Sequence, residues 1–222
     1  MSWVRVLLGR RSPRRLAAIA VVGPLFLLAG CFPAPAPTAG CTAPGTPDAV
    51  PVMGCSRLTV DQIVSWFNSQ SRPAYAASVP IDQLVQYFVN EGWDENVRGD
   101  IAFAQAIIET GWFSFPGIVP ANANNFAGLG ATQPGTFAVF PDAQTGVRAQ
   151  IQHLRAYADA TVTVDTLHHP LVDPRFDYVQ PKGKAPYWNQ FGNGIWAASS
   201  TYAASILNLY TRMLNANGMT LG

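Results

Sequence analysis

The sequence predicts a mainly α-helical domain with a small β-hairpin and a cleft assembled from loops. Three observations carry that expectation. Apolar residues recur at three- and four-residue spacing in five segments. Residues 136–140 alternate with the two-residue period of a strand. Residues 57–222 are enough chain for one compact domain with a core of its own.

Thr59-Val60-Asp61-Gln62 is a capping-box pattern that opens a first helix carrying Ile63, Val64, Trp66 and Phe67. Pro80 precedes a second helix with Ile81, Leu84, Val85 and Phe88 inward and Gly92 at its close. The polar turn EGWDEN around it leaves Glu91 and Glu95 solvated. A third helix over 97–110 buries Ile101, Ala104, Ile107 and Ile108, and Gly111 stands where a C′ glycine ends a helix. Residues 111–140 are rich in loop formers, and 136–140 pair as a hairpin. Asp142 is the N-cap of a long helix to about residue 159, with Val147, Ile151, Leu154 and Tyr157 on one face. A Pro-rich irregular stretch leads to a last helix over 201–215, and no internal repeat is visible.

The first 30 residues are of another kind. Arg5, Arg10, Arg11, Arg14 and Arg15 precede an apolar run from Leu16 to Gly30. A basic region followed by about 15 apolar residues is the pattern of a signal peptide, and falls short of the roughly 20 that span a bilayer. Leu28-Ala29-Gly30-Cys31 resembles a bacterial lipobox, which implies lipidation of Cys31 and anchoring to a membrane by acyl chains. Residues 31–56, rich in Pro, Ala and Gly, read as a tether. Cys41 and Cys55 lie within it and suit a disulfide in an oxidising compartment. Removal of residues 1–30 takes five of the fourteen basic residues and none of the thirteen acidic ones, so the net charge becomes −4. No basic stripe is left for a nucleic acid.

The stretch AQAIIETGWFSFP places Glu109 at the end of an apolar helix. A negative charge at the negative end of the helix dipole costs about 0.3 to 1 kcal/mol. Ile108, Trp112 and Phe113 would desolvate it as well, and both effects raise a carboxyl pKa toward that of a general acid. Only three glutamates occur in the chain, Glu91, Glu95 and Glu109. The competing reading is a carboxylate that pairs with Arg98, Arg148 or another cation to fix the helix end.

Five ordered blocks, AQAIIETGWF, NNFAGLGA, FAVFPDAQTGVRAQIQHLRAYA, VDPRFDYV and IWAASSTYAASILNLY, resemble the glucosaminidase group of peptidoglycan hydrolases over residues 80–217. The resemblance implies a lysozyme-like α+β fold with a reduced β-hairpin lobe. It implies cleavage of the β-1,4 bond after N-acetylglucosamine, with the glutamate of an Ala-Gln-Ala-x-x-Glu-Ser/Thr-Gly-Trp motif, here Glu109, as catalytic acid. It also implies a cleft lined by Asn125, Phe126 and Gly128 of the Asn-Phe-x-Gly block. Many relatives carry a further acidic residue in a longer hairpin lobe, and residues 131–136 have none. Asp142, Asp173 and Asp177 are the remaining candidates for a second carboxylate. Where many relatives begin the last block with Tyr-Ala-Thr-Asp, this chain has Trp196-Ala-Ala-Ser, so a hydroxyl is lost at that position.

Aromatic residues suit a sugar partner. Trp112, Phe126, Tyr187, Trp188, Trp196 and Tyr202 fall in predicted loops or at a helix start, where a ring face can stack on a pyranose. A metal is not expected: His168 and His169 are adjacent and diverge on a helix or strand, and no HExxH occurs. His153 reads as a surface or core-edge residue of the long helix. No cofactor motif is present. The expectation is therefore a monomeric, lipid-anchored, extracytoplasmic bacterial enzyme acting on peptidoglycan. A non-catalytic peptidoglycan-binding lipoprotein and a lytic transglycosylase are the alternatives.

Overall fold

The structure, a computed structural model, describes residues 45–221. The expected signal segment, Cys31 and Cys41 lie outside the described residues. Five helices organise the domain: α1 (Val60–Asn68), α2 (Ile81–Asp94), α3 (Gly99–Glu109), α4 (Ala143–Ala158) and α5 (Tyr202–Asn215). The fold is mainly α, as the periodicity predicts. No helix among the described residues is long and apolar enough to cross a membrane.

The helix ends follow their local chemistry. Thr59 and Gln62 form the reciprocal capping box of α1. Asp142 accepts from the Thr145 N–H at 2.7 Å to start α4. At the end of α3 the Trp112 N–H reaches Ile107 C=O at 2.7 Å and Gly111 N–H reaches Ile108 C=O, a Schellman closure with Gly111 at φ +56°. Trp112, Phe113 and Phe115 follow with φ of 65°, 58° and 52°. Each costs about 1 to 2 kcal/mol in the left-handed region. Burial of Phe113 among Phe67, Phe103 and Phe126 offsets that strain.

α3 is the axis of the domain. Every residue from Gly99 to Ile107 is buried, with α2, α4 and α5 packed around it. A helix apolar all round belongs at the centre of a core, and the run IAFAQAII supplies that composition. Gly99 permits the approach to α2: a Cβ there would lie 2.1 Å from Phe88 O. Gly92, expected to close α2, instead lies inside it, where a Cβ would meet Val97 O at 2.6 Å. Its smallness serves a tight corner between helices.

Two expectations differ from the structure. Residues 136–140 do not form a hairpin strand; pairing there is a single bridge, Gln133 to Thr136. Ala138 and Phe140 donate instead to Leu129 and Ala123, which lays the segment along the loop wall. Residues 50–54, which composition places in the tether, are stitched into the domain. Val52 donates to Pro186 and accepts from Arg98, Trp188 donates to Val50, and Val50 and Val52 are buried. Alternate apolar residues between Pro and Gly suit a short extended strap as well as a tether. Cys55 is disulfide-bonded.

Asp100, in the first turn of α3, ties residues 57 and 58, just after the strap, to the core. It is fully buried, and Oδ2 accepts from the Arg57 and Leu58 N–H groups and the Tyr210 hydroxyl, while Oδ1 accepts from Ile101 N–H. Burial pushes its carboxyl pKa up, and the Arg57 and Tyr210 hydrogen bonds oppose that push. Asp100→Ala leaves four donors without that acceptor and is expected to cost roughly 3 kcal/mol or more in urea unfolding. Asp100→Asn, which keeps one acceptor oxygen, is expected to lose clearly less.

Candidate active site

Glu109 is the last residue of α3 and opens onto a cleft of about 230 Å³. Phe115, Ile118, Val119, Asn125 and Gly128 line the cleft with it. The left-handed turn after α3 brings Phe115 to one side. The 125–131 loop brings the other side, with the Asn125 amide donating to Leu129 and Ala138 and its oxygen accepting from Leu129 N–H. Asn125 is buried and its polar atoms are spent on the loop, so it shapes the wall. Gly128, at φ +62°, faces the carboxylate: a Cβ there would stand 3.4 Å from Glu109 Oε2.

The two oxygens of Glu109 have different surroundings. Oε1 accepts from the Trp196 indole N–H at 3.0 Å and from the Tyr202 hydroxyl. Oε2 faces the Gly128 side. Burial raises the carboxyl pKa, and the Tyr202 and Trp196 hydrogen bonds pull it back only in part. With both donors on Oε1, the proton of the neutral acid belongs on Oε2. The pairing with Arg98 or Arg148 considered from sequence does not occur at Glu109; Arg148 holds Glu91.

A chain of buried amides fixes the direction of the Tyr202 hydrogen bond. Gln150 Nε2 donates to the Ala102 carbonyl and to Gln105 Oε1 at 2.9 Å. Gln105 is thereby left to donate through Nε2 to the Tyr202 oxygen at 3.0 Å, so the Tyr202 hydrogen must point to Glu109. Burial and the Glu109 charge raise the Tyr202 pKa well above its ordinary value, which keeps this donor protonated. Gln105 and Gln150 were not singled out in the sequence. The available signal was Gln105 four residues before Glu109, polar within an apolar helix and on the same face.

The remaining expected residues divide. Trp196 is caged by His153, Tyr157 and Phe191, with ring centroids 5.1, 5.4 and 5.6 Å away, which aims its N–H rather than freeing a ring face. Asp173 pairs with His153 at 2.7 Å behind that cage. Trp188 and Phe126 are buried core residues, unsuited to touching a ligand. Trp112 stacks on Trp66 at the core edge. Tyr187 is exposed and bridges to Pro51, outside the lining of the Glu109 cleft. Predicted loops gave no way to tell which rings face inward, because a short loop follows tertiary contacts and not a period.

Glu91 and Glu95 correct the sequence reading most clearly. Both are buried, not solvated: Glu91 is gripped by Arg148 and Gln144, and Glu95 by Arg155. The EGWDEN segment is largely the last turn of α2 and faces α4, so its acids meet the arginines of that helix. Asp142 is spent as an N-cap and Asp177 does not line the cleft. Among the described residues, Glu109 is the one carboxylate lining this cleft.

Residues 85–215 match the glucosaminidase family, described as mannosyl-glycoprotein endo-beta-N-acetylglucosaminidase. An uncharacterized protein of Borreliella burgdorferi is 33% identical over 138 residues, 62% of this chain and 65% of that relative's length. No solved structure matches.

The electrostatics of Glu109 give a testable sign. Its folded-state pKa lies above the unfolded value of about 4.3. The stabilising protonated form is complete below that value and is lost as pH rises through the folded pKa. Glu109→Gln, which cannot ionise, is therefore expected to melt above the wild type at pH 7. The difference should close below about pH 4 in thermal denaturation.

Proposed function

The chain belongs to the glucosaminidase family, and from that premise we propose that it is an endo-β-N-acetylglucosaminidase of peptidoglycan with Glu109 as general acid. The observation that carries this reading is the asymmetry of the carboxyl group: Oε1 bound by two neutral donors, Oε2 toward the cleft, and burial holding the proton. Glu109 gives its Oε2 proton to the glycosidic oxygen as the bond from that oxygen to the anomeric carbon breaks. The carboxylate so formed keeps its Oε1 hydrogen bonds and sits beside the positive charge developing on the sugar. An attacking water returns a proton to Oε2, which restores the acid.

That Glu109 is the one carboxylate lining the cleft among the described residues favours a second reading on the same residue. If the sugar's own 6-hydroxyl attacks in place of water, the reaction is that of a lytic transglycosylase and the product is an anhydro sugar. The sequence supports an extracytoplasmic place for either activity. Residues 1–30 would export the chain, Cys31 would carry the lipid, and a Cys41–Cys55 disulfide would close the segment next to the strap. The partner is then the glycan strand, met by a monomer that needs no cofactor.

Purified peptidoglycan digested by the chain should release fragments with reducing-end N-acetylglucosamine, seen by mass spectrometry. Glu109→Gln should lower that release by at least about a hundredfold. Anhydro-sugar fragments would assign the transglycosylase, and bound but uncut glycan with both proteins would make the domain a binding module.

Tyr202→Phe removes a donor that lowers the Glu109 pKa. Activity needs the protonated acid, so it falls as pH rises through that pKa. In Tyr202→Phe this alkaline limb should move to higher pH in a profile of kcat/KM.

A further inference from the structure

His168 and His169 do not diverge as adjacent residues on a helix or strand would. The chain bends after the 3-10 turn Val164–Thr166, and the two imidazoles stand at 80° with centroids 4.7 Å apart. Both converge on one carboxylate in the last turn of α2. His169 Nε2 lies 2.8 Å from Asp94 Oδ2, and His168 Nε2 lies 3.9 Å from Asp94 Oδ1. One ligand atom from each of the three residues lies within 4.8 Å of the others.

The bend is built from beneath. The His168 and His169 N–H groups both donate to Oε1 of buried Glu95, whose other oxygen is held by Arg155. Gln152 donates to the His169 and Pro170 carbonyls and accepts from the Val172 and Asp173 N–H groups. Four main-chain N–H groups and two carbonyls are thus clamped by side chains of α4 and the α2 terminus. The backbone under the imidazoles is fixed before any ligand arrives.

We propose that Asp94, His168 and His169 bind a divalent transition cation of the zinc type. Two imidazole nitrogens and one carboxylate oxygen suit zinc, nickel or copper, and suit magnesium and calcium poorly because those ions take oxygen ligands. Ligand bonds of about 2.0 to 2.2 Å around a tetrahedral ion separate neighbouring ligand atoms by roughly 3.3 Å. The present separations bracket that figure, and the His168 side chain, 57% exposed, can swing to meet it. Glu91 lies 3.8 Å from His169 Nε2 but is already engaged by Arg148 and Gln144, which leaves three protein ligands and an open position for water. The cation clasps the end of α2 to the 168–173 bend, away from the residues lining the Glu109 cleft.

The test titrates the full chain, freed of metal by a chelator, with zinc chloride in a calorimeter, beside His168→Ala, His169→Ala and the double variant. His153, the third histidine, is buried on Asp173 and serves as the internal control. The wild type should take up one zinc per chain at this site and gain in Tm. Each single variant should bind it roughly tenfold or more weakly while melting like the wild type in chelator. Magnesium chloride should give no binding. Equal zinc uptake and equal Tm gain in wild type and double variant would overturn the site, as would an absence of uptake by the wild type. Asp94→Asn, which keeps the side chain's shape, separates loss of a ligand from loss of fold if an alanine variant melts early.

Discussion

A helix buried on every side can present an ionisable group to solvent only where it ends, and that constraint organises this domain. From Gly99 to Ile107 α3 has no exposed face, so its side chains must be apolar or fully hydrogen-bonded. Its two acids stand at its two ends. Asp100 meets the positive end of the helix dipole and is saturated by donors; Glu109 meets the negative end and is not. The Schellman closure and the left-handed turn behind it then decide which way the chain leaves, and hence that a cleft forms at Glu109.

Around that axis the buried acids are matched to partners of different kinds. Glu91 and Glu95 take Arg148 and Arg155, and Asp173 takes His153. Glu109 receives only the neutral donors of Trp196 and Tyr202, whose hydrogen bonds are outweighed by burial. Arg148 and Arg155 are spent on the α2–α4 seam, and with neutral donors at Glu109 burial is left to favour its protonated form.

Local chemistry made much of this legible. The capping box at Thr59, the Asp142 cap, the Gly111 closure and the position of Glu109 each depend on residues within a few positions of one another, and each appears where the sequence puts it. Gly92 shows the limit: a glycine near a helix end reads as a stop, and only the approach of residues 97 and 99 reveals it as a spacer. Trp188 reads as a ring in a loop, yet the strap at Val50 closes over its backbone and buries it. Glu91 and Glu95 read as surface charges because their arginines lie more than 50 residues away.

The sequence by itself determined the helices, their caps, the family resemblance and the one acid at the end of an apolar run, because periodicity and capping are short-range. Only the tertiary structure decided what that acid touches. Gln150 from α4, Gln105 from α3 and Tyr202 from α5 align into one directed chain of hydrogen bonds, and Trp196 joins it from a loop. The convergence of His168 and His169 on Asp94 has the same origin. Hydrogen-bond direction and ligand convergence are properties of atoms brought within a few ångströms by packing, and no spacing along the chain encodes them.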